Sequence, residues 1–246
     1  MIEDAIQVAR AFVRERFPEA RSAWLGGSVA RGTATATSDL DVTVLLNGPP
    51  APMRESVVYG GWPVEVFVHT EKSLAYYCEK DRQRRQPTMM RLVGESIILV
   101  DTDGSGGRLQ ESGRAEVAAG PPALPDDELQ LLRYKVTDLL EDLIGADGND
   151  VRTVVAALLG QDAAVLLLTG AQRWSRTGKG LLRELAAYDG EHGTNHASAF
   201  PAAVRAASAG EADQLIDLAD GVLAQNGGRL VDGFRLSGST RDADTD

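Results

Sequence analysis

The chain of 246 residues contains one cysteine, three histidines and only 5% aromatic residues. The lone Cys78 excludes an intrachain disulfide and any multi-cysteine zinc site. No run of about eighteen or more apolar residues occurs, which argues against a membrane-spanning helix. The N-terminus carries Glu3 and Asp4 early and lacks a long apolar stretch, so it does not read as a signal peptide. Ile2, Ile6, Ala9, Val13 and Phe17 follow helical spacing instead. A cytoplasmic protein with no membrane partner is the simplest reading. Basic charge is also scarce: 25 Lys+Arg stand against 36 Asp+Glu, a net of −11. Residues 1–125 hold 14 basic and 16 acidic side chains, a net of −2, and residues 126–246 hold 11 and 20, a net of −9. Nucleic-acid binders generally carry a basic face. The only basic cluster here is Lys80, Arg82, Arg84 and Arg85, at a predicted helix end where cations complement the helix dipole. No nucleic-acid partner is expected.

What the chain does have is a clear order of elements. Helices are predicted over 3–17, 71–84, 88–94 and 105–119, and strands over 21–25, 40–46, 55–59, 63–69 and 96–101. Gly60-Gly61 reads as the two-residue turn of a hairpin. Pro121, Pro122 and Pro125 cannot sit inside a helix and mark a boundary. Beyond it the chain reads as wholly helical, over 126–144, 150–169, 178–189, 200–208 and 211–226. The stripe Leu129, Leu132, Val136, Leu139 and Leu143 faces a core. Residues 237–246 carry no apolar side chain larger than that of Ala243 and read as a disordered tail.

The most informative stretch is Gly26 to Leu46. A Gly-Gly-Ser turn is followed by Asp39-Leu40-Asp41, which opens an apolar, β-branched run. Side chains alternate along a strand, so Asp39 and Asp41 share one face while Leu40, Val42 and Val44 take the other. Two carboxylates so close repel unless a cation lies between them. Mg2+, which is held by one or two carboxylates plus substrate phosphates, meets that need. Gly26 and Gly27 permit close backbone approach, and Ser28 offers a hydroxyl and a backbone N–H at the start of a helical turn. A phosphate cradle beside a metal-binding acid pair is the pattern of a phosphoryl-transfer site. In Trp62 to His69, Val64, Val66 and Val68 alternate with Glu65, Phe67 and His69. An antiparallel neighbour then brings Glu65 beside the aspartates.

These residues resemble the nucleotidyltransferase superfamily, whose fold is shared with DNA polymerase β. Gly27-Ser28, then Asp39-Leu40-Asp41, then Glu65 match its Gly-Ser turn, acid pair and third carboxylate. The resemblance implies an α+β fold. A nucleotidyltransferase domain over 1–120, with a mixed sheet flanked by helices, is followed by a helical substrate-binding bundle over 121–236. This layout is similar to that of the small-molecule, aminoglycoside-type members, and it implies antibiotic resistance as one possible role. Also implied is transfer of a nucleoside monophosphate, AMP from ATP before other NTPs, to a hydroxyl of a small molecule, with pyrophosphate released. Asp39 and Asp41 hold two Mg2+ ions, and Glu65 is a third ligand or the general base; the sequence leaves both open. Gly27, Ser28, Arg31 and Lys179 are the nucleotide-binding candidates. Arg31 either touches phosphate or pairs with an acid.

Lys179 stands between Gly178 and Gly180 at a helix start, and the resemblance implies a triphosphate contact; an exposed loop lysine is the alternative. Asp138 and Asp142 share a stripe with Lys135 on the first bundle helix. They are weak acceptor-binding candidates, or they form a plain surface pair with Lys135. The acidic second half suits a cationic acceptor bound between the domains, and equally plain solubility. His192 and His196 are spaced like ligands, but Gly193 and Asn195 oppose a helix there, so a polar loop is expected. His69 is read as a hydrogen-bonded strand-end histidine, Trp62 and Trp174 as packing residues, and Ser38 as a turn former. Two other functions stay open: a protein-adenylylating enzyme of the antitoxin type, and an inactive binding module of the same fold.

Overall fold

A computed structural model describes residues 2–236; the tail expected at 237–246 lies outside them. The chain divides into two compact units, Met1–Pro121 and Pro122–Asp246.

The first unit is a five-stranded mixed sheet in the order β3-β4-β2-β1-β5. Its strands are β1 (Ser22–Leu25), β2 (Leu40–Leu45), β3 (Met53–Tyr59), β4 (Trp62–His69) and β5 (Ile97–Asp101), and its helices are α1 (Ile2–Arg16), α2 (Gly27–Ala30), α3 (Glu71–Arg84), α4 (Thr88–Gly94) and α5 (Ser105–Ala119). Alternation along the strands sorts side chains onto two faces. Leu40, Val42, Val44, Val64, Val66 and Val68 join Ala9, Phe12 and Val13 of α1 in one core. Trp24, Leu45 and Phe67 face the other way and meet Leu74, Met89 and Val93 of α3 and α4. The stripe of α1 differs from the expected one at its start. Ile2 is 46% exposed, and Ala5 and Phe12 are buried in its place.

One pairing corrects the sequence reading. β1 is antiparallel to β2 and to β5, and β3 is antiparallel to β4, but β2 and β4 run parallel. The β3–β4 hairpin inserts its second strand next to β2, so β4 runs the same way as β2. The turn between them is Gly60-Gly61, with φ of 56° and 81°, and Tyr59 faces Trp62 across it. Positive φ at both turn residues is what a tight hairpin turn demands and what glycine supplies.

The Thr70 hydroxyl accepts from the Ser73 N–H and the Ser73 hydroxyl receives the Thr70 N–H, a reciprocal cap at the start of α3. At the other end the buried Asp81 carboxylate accepts from the Met89 N–H, tying α3 to the first turn of α4. Two members of the basic cluster there are ion-paired: Arg82 bonds Glu116 at 2.7 Å and Arg84 bonds Asp81 at 2.7 Å.

The second unit packs α6 (Asp126–Ile144), α8 (Lys179–His192), α9 (His196–Ser208) and α10 (Asp213–Gln225) around α7 (Asn149–Gly170). α7 is long and apolar enough to cross a membrane by length and composition. Here its Ala156, Leu159, Ala163, Leu166 and Leu167 are buried at the centre of the bundle. α9 starts at His196, four residues before the expected start at 200. Asp189 accepts the backbone N–H groups of His196 and Ala197 at 2.9 and 2.8 Å, which anchors a first turn ahead of Pro201. His196 Nδ1 also lies 2.8 Å from that carboxylate, and His192 Nδ1 lies 2.8 Å from the Tyr188 carbonyl. Both histidines therefore fasten helix ends. Trp174 is buried and Trp62 packs on the first unit's core, as packing residues do.

Candidate active site

The site grows from the parallel β2–β4 pair. In that register Asp41 stands level with Glu65, and Leu40 with Val64. Since Leu40, Val42, Val64 and Val66 are committed to the α1 core, the intervening Asp41 and Glu65 must face the opposite side. Asp39, the residue before β2, shares that face. Asp39, Asp41 and Glu65 are each half-buried, and each offers a carboxylate oxygen within 4.8 Å of the others. Among the described residues no other group of three His, Cys, Asp or Glu side chains meets that criterion.

Three carboxylates at this spacing carry strong mutual repulsion in a partly dehydrated setting. A hard divalent ion held by oxygen ligands is the natural counter-charge, and the donor set, all carboxylate and open to a further ligand, fits Mg2+ or Mn2+. The protein supplies part of the counter-charge itself. Arg54 of β3 bonds Glu65 through Nε at 3.1 Å and through Nη2, both on the same oxygen, Oε1. The guanidinium also lies 5.2 Å from the centroid of the Phe67 ring. Oε2 of Glu65 is left for a ligand. Arg54 was not singled out from the sequence, although a signal existed. The two-residue turn fixes the register, so Ser56 faces Glu65 and Arg54 faces Phe67, one diagonal step away.

The glycine turn folds directly onto the acid pair. The Gly26 N–H donates to the Asp41 carbonyl at 2.8 Å. Gly27 has φ of 67°, and a Cβ there would overlap the Asp41 carboxylate. Glycine at this position therefore serves both conformation and close approach. The Ser28 hydroxyl donates to Ser38 Oγ at 3.0 Å, and the Thr35 N–H donates to the same oxygen at 2.9 Å. Ser38 thus shapes the turn that carries Asp39, as expected, and it holds Ser28 beside it. Arg31 is exposed just after α2, where its backbone N–H closes the turn onto the Gly27 carbonyl.

His69 ends β4 buried, with Nδ1 3.3 Å from the Ser73 hydroxyl, the hydrogen-bonded role expected of it. Burial lowers its pKa below the ordinary 6.5. In the second unit, Lys179 is the exposed first residue of α8, after Gly178 at φ of 55°. Asp138 and Asp142 lie exposed, one turn apart, on α6.

Comparison with known proteins returns the same domain. Residues 6–86 match the family model of the nucleotidyltransferase domain, a span that holds the glycine turn, all three carboxylates and Arg54. No curated protein matches the chain significantly. Among solved structures, the crystal structure of a nucleotidyltransferase-like protein from Exiguobacterium sibiricum 255-15 superposes with a TM-score of 0.45 at 12% identity, over 90% of this chain and 77% of that one. The domain that carries the carboxylate triad belongs to the nucleotidyltransferase superfamily.

Proposed function

We propose that the protein is a metal-dependent nucleotidyltransferase that moves a nucleoside monophosphate, AMP from ATP, onto a hydroxyl of a small molecule. The carboxylate triad, with Asp39, Asp41 and Glu65 oxygens within 4.8 Å of one another, is the observation that carries this reading. In the reaction a bond forms between the acceptor oxygen and the α-phosphorus, the bond from that phosphorus to the β-phosphate bridging oxygen breaks, the hydroxyl proton is released, and pyrophosphate departs. Two Mg2+ ions would be held by Asp39 and Asp41, with Glu65 as third ligand to one of them, and would supply charge neutralisation and alignment of attacking and leaving oxygens. The chain's own groups do the rest. Gly27 lets the backbone lie close against Asp41, Ser28 and the turn N–H groups would bind phosphate oxygens, and Arg54 holds Glu65 by Oε1, which leaves Oε2 for a ligand. Lys179, and Arg31 beside the turn, are the further cations proposed for the triphosphate.

Asp138 and Asp142 remain proposed acceptor contacts only through the charge of the second unit, and an aminoglycoside-like polycation is the acceptor that charge would select. The transfer itself is tested by incubating the protein with each NTP, Mg2+ and a panel of hydroxylated compounds while following pyrophosphate release. Asp39→Asn and Asp41→Asn should each lower turnover by about a hundredfold or more, since metal clamping supplies several kcal/mol of the barrier reduction. Circular dichroism should stay unchanged, because neither side chain belongs to a core. Near wild-type turnover in either variant defeats the metal assignment.

A further inference from the structure

The strands on either side of β2 give the two ends of a reaction different addresses. The Gly26–Ser28 turn follows β1, on one flank of the acid pair, and Glu65 stands on β4, on the other flank. Displacement at phosphorus places the attacking and leaving oxygens on opposite sides. With the departing phosphates on the Gly27–Ser28 flank, the attacking hydroxyl must arrive from the β4–β3 flank. A cavity of about 550 Å³ opens on that flank, between the β3–β4 strands and helices α3 and α4. That volume suits one small molecule.

Its lining has two characters. Met53, Phe67, Tyr77 and Met89 give it aromatic and thioether walls, and Phe67 lies two residues beyond Glu65 on the same face of β4. Arg54 and Arg84 bring positive charge to it, and both side chains are largely exposed. Each arginine bonds one carboxylate and keeps further N–H donors, since a guanidinium has five. The carboxylate in the lining, Asp81, is buried and already engaged by Arg84 and by the Met89 N–H. The lining histidine, His69, is held toward its neutral form by burial. No acid in the lining is placed to receive a cationic ligand.

We propose that this cavity is the acceptor site, and that it takes a hydroxylated molecule with an apolar or aromatic body and an anionic group that Arg84 and Arg54 receive. The inference rests on the nucleotidyltransferase reading for its direction of attack. It gives the acceptor the opposite charge from the one the acidic second unit suggests.

The test uses three probes of one skeleton and different charge: 4-hydroxyphenylacetate, the neutral 2-(4-hydroxyphenyl)ethanol, and cationic tyramine. Binding to the full chain is followed by backbone amide NMR shifts in the presence of Mg2+ and a non-hydrolysable ATP analogue. The expected result is that shifts cluster at Phe67, Tyr77 and Met89. The anion should bind about tenfold tighter than the cation, a difference of about 1.4 kcal/mol. Arg84→Gln should weaken the anion severalfold and leave the neutral probe little changed. Equal or tighter binding of tyramine, shifts confined to other residues, or no binding of any probe at millimolar concentration would overturn the proposal. Mg2+-dependent binding of the ATP analogue, read in the same samples, separates the two claims. Its loss in Asp41→Asn supports the transferase reading whatever the probes do, and its persistence there sinks that reading first.

Discussion

Gly27 shows how one residue can decide a site. Its φ of 67° disfavours any side chain, and a Cβ there would fall on the Asp41 carboxylate. Gly27→Ala should cost about 1–2 kcal/mol of stability through the left-handed backbone alone. The larger effect should be on the site, because the added methyl displaces the Asp41 carboxylate. Mn2+ affinity, measured calorimetrically, should fall by about tenfold or more, the loss expected when one ligand of a metal cluster is misplaced. An alanine variant with unchanged Mn2+ affinity would show that the close approach has no bearing on the metal. The convergence of Asp39, Asp41 and Glu65 was legible in the sequence, because acids two apart on one strand share a face and Glu65 alternates with the core valines of another. Arg54 was not: its partner is 11 positions away, and an exposed arginine on an edge strand looks like any other until the hairpin register is counted.

At the scale of elements, the junction from β4 into α3 joins the sheet to the helix that walls the cavity. His69 closes the strand, its Nδ1 meets Ser73, and Ser73 completes the cap with Thr70. The imidazole also stacks edge-on against Tyr77, with ring centroids 5.2 Å apart. Burial holds the folded His69 pKa below 6.5, so between that lower value and 6.5 the unfolded chain binds more protons at this position than the folded one. Stability therefore rises with pH through this window. Acidification below 6.5 should progressively destabilise the fold, and the loss should level off once pH falls below the folded value. Urea melts from pH 7 to pH 4.5 on wild type and His69→Gln test this, since glutamine removes the titration while keeping a polar side chain. Parallel pH profiles for the two proteins would rule His69 out as the source.

Element types and most boundaries followed from local pattern: α3, α4, α5 and α6 lie where the sequence placed them. What local pattern could not give was partner choice. The parallel β2–β4 pairing depends on which edge of the hairpin docks, and the early start of α9 depends on a carboxylate from α8, Asp189, reaching across the bend. Both are long-range facts about neighbours.

Across the whole molecule, each unit encloses its own apolar material. The cores on the two faces of the sheet draw only on residues before Pro122, and the bundle core draws only on residues after it. A segment with its own core and satisfied helix ends has what cooperative folding requires. Residues 1–121 alone should therefore fold, with a mixed α/β circular dichroism spectrum and a single thermal transition. The enthalpy of that transition should be about 85 kcal/mol, the value that a per-residue enthalpy near 0.7 kcal/mol gives for a chain of this length. The same fragment should bind Mn2+, because all three carboxylates, Arg54 and the glycine turn lie within it. If it melts without cooperativity, the sheet depends on the bundle for stability. If it folds but fails to bind Mn2+, the three carboxylates are not a sufficient metal site and the assignment of the triad is overturned.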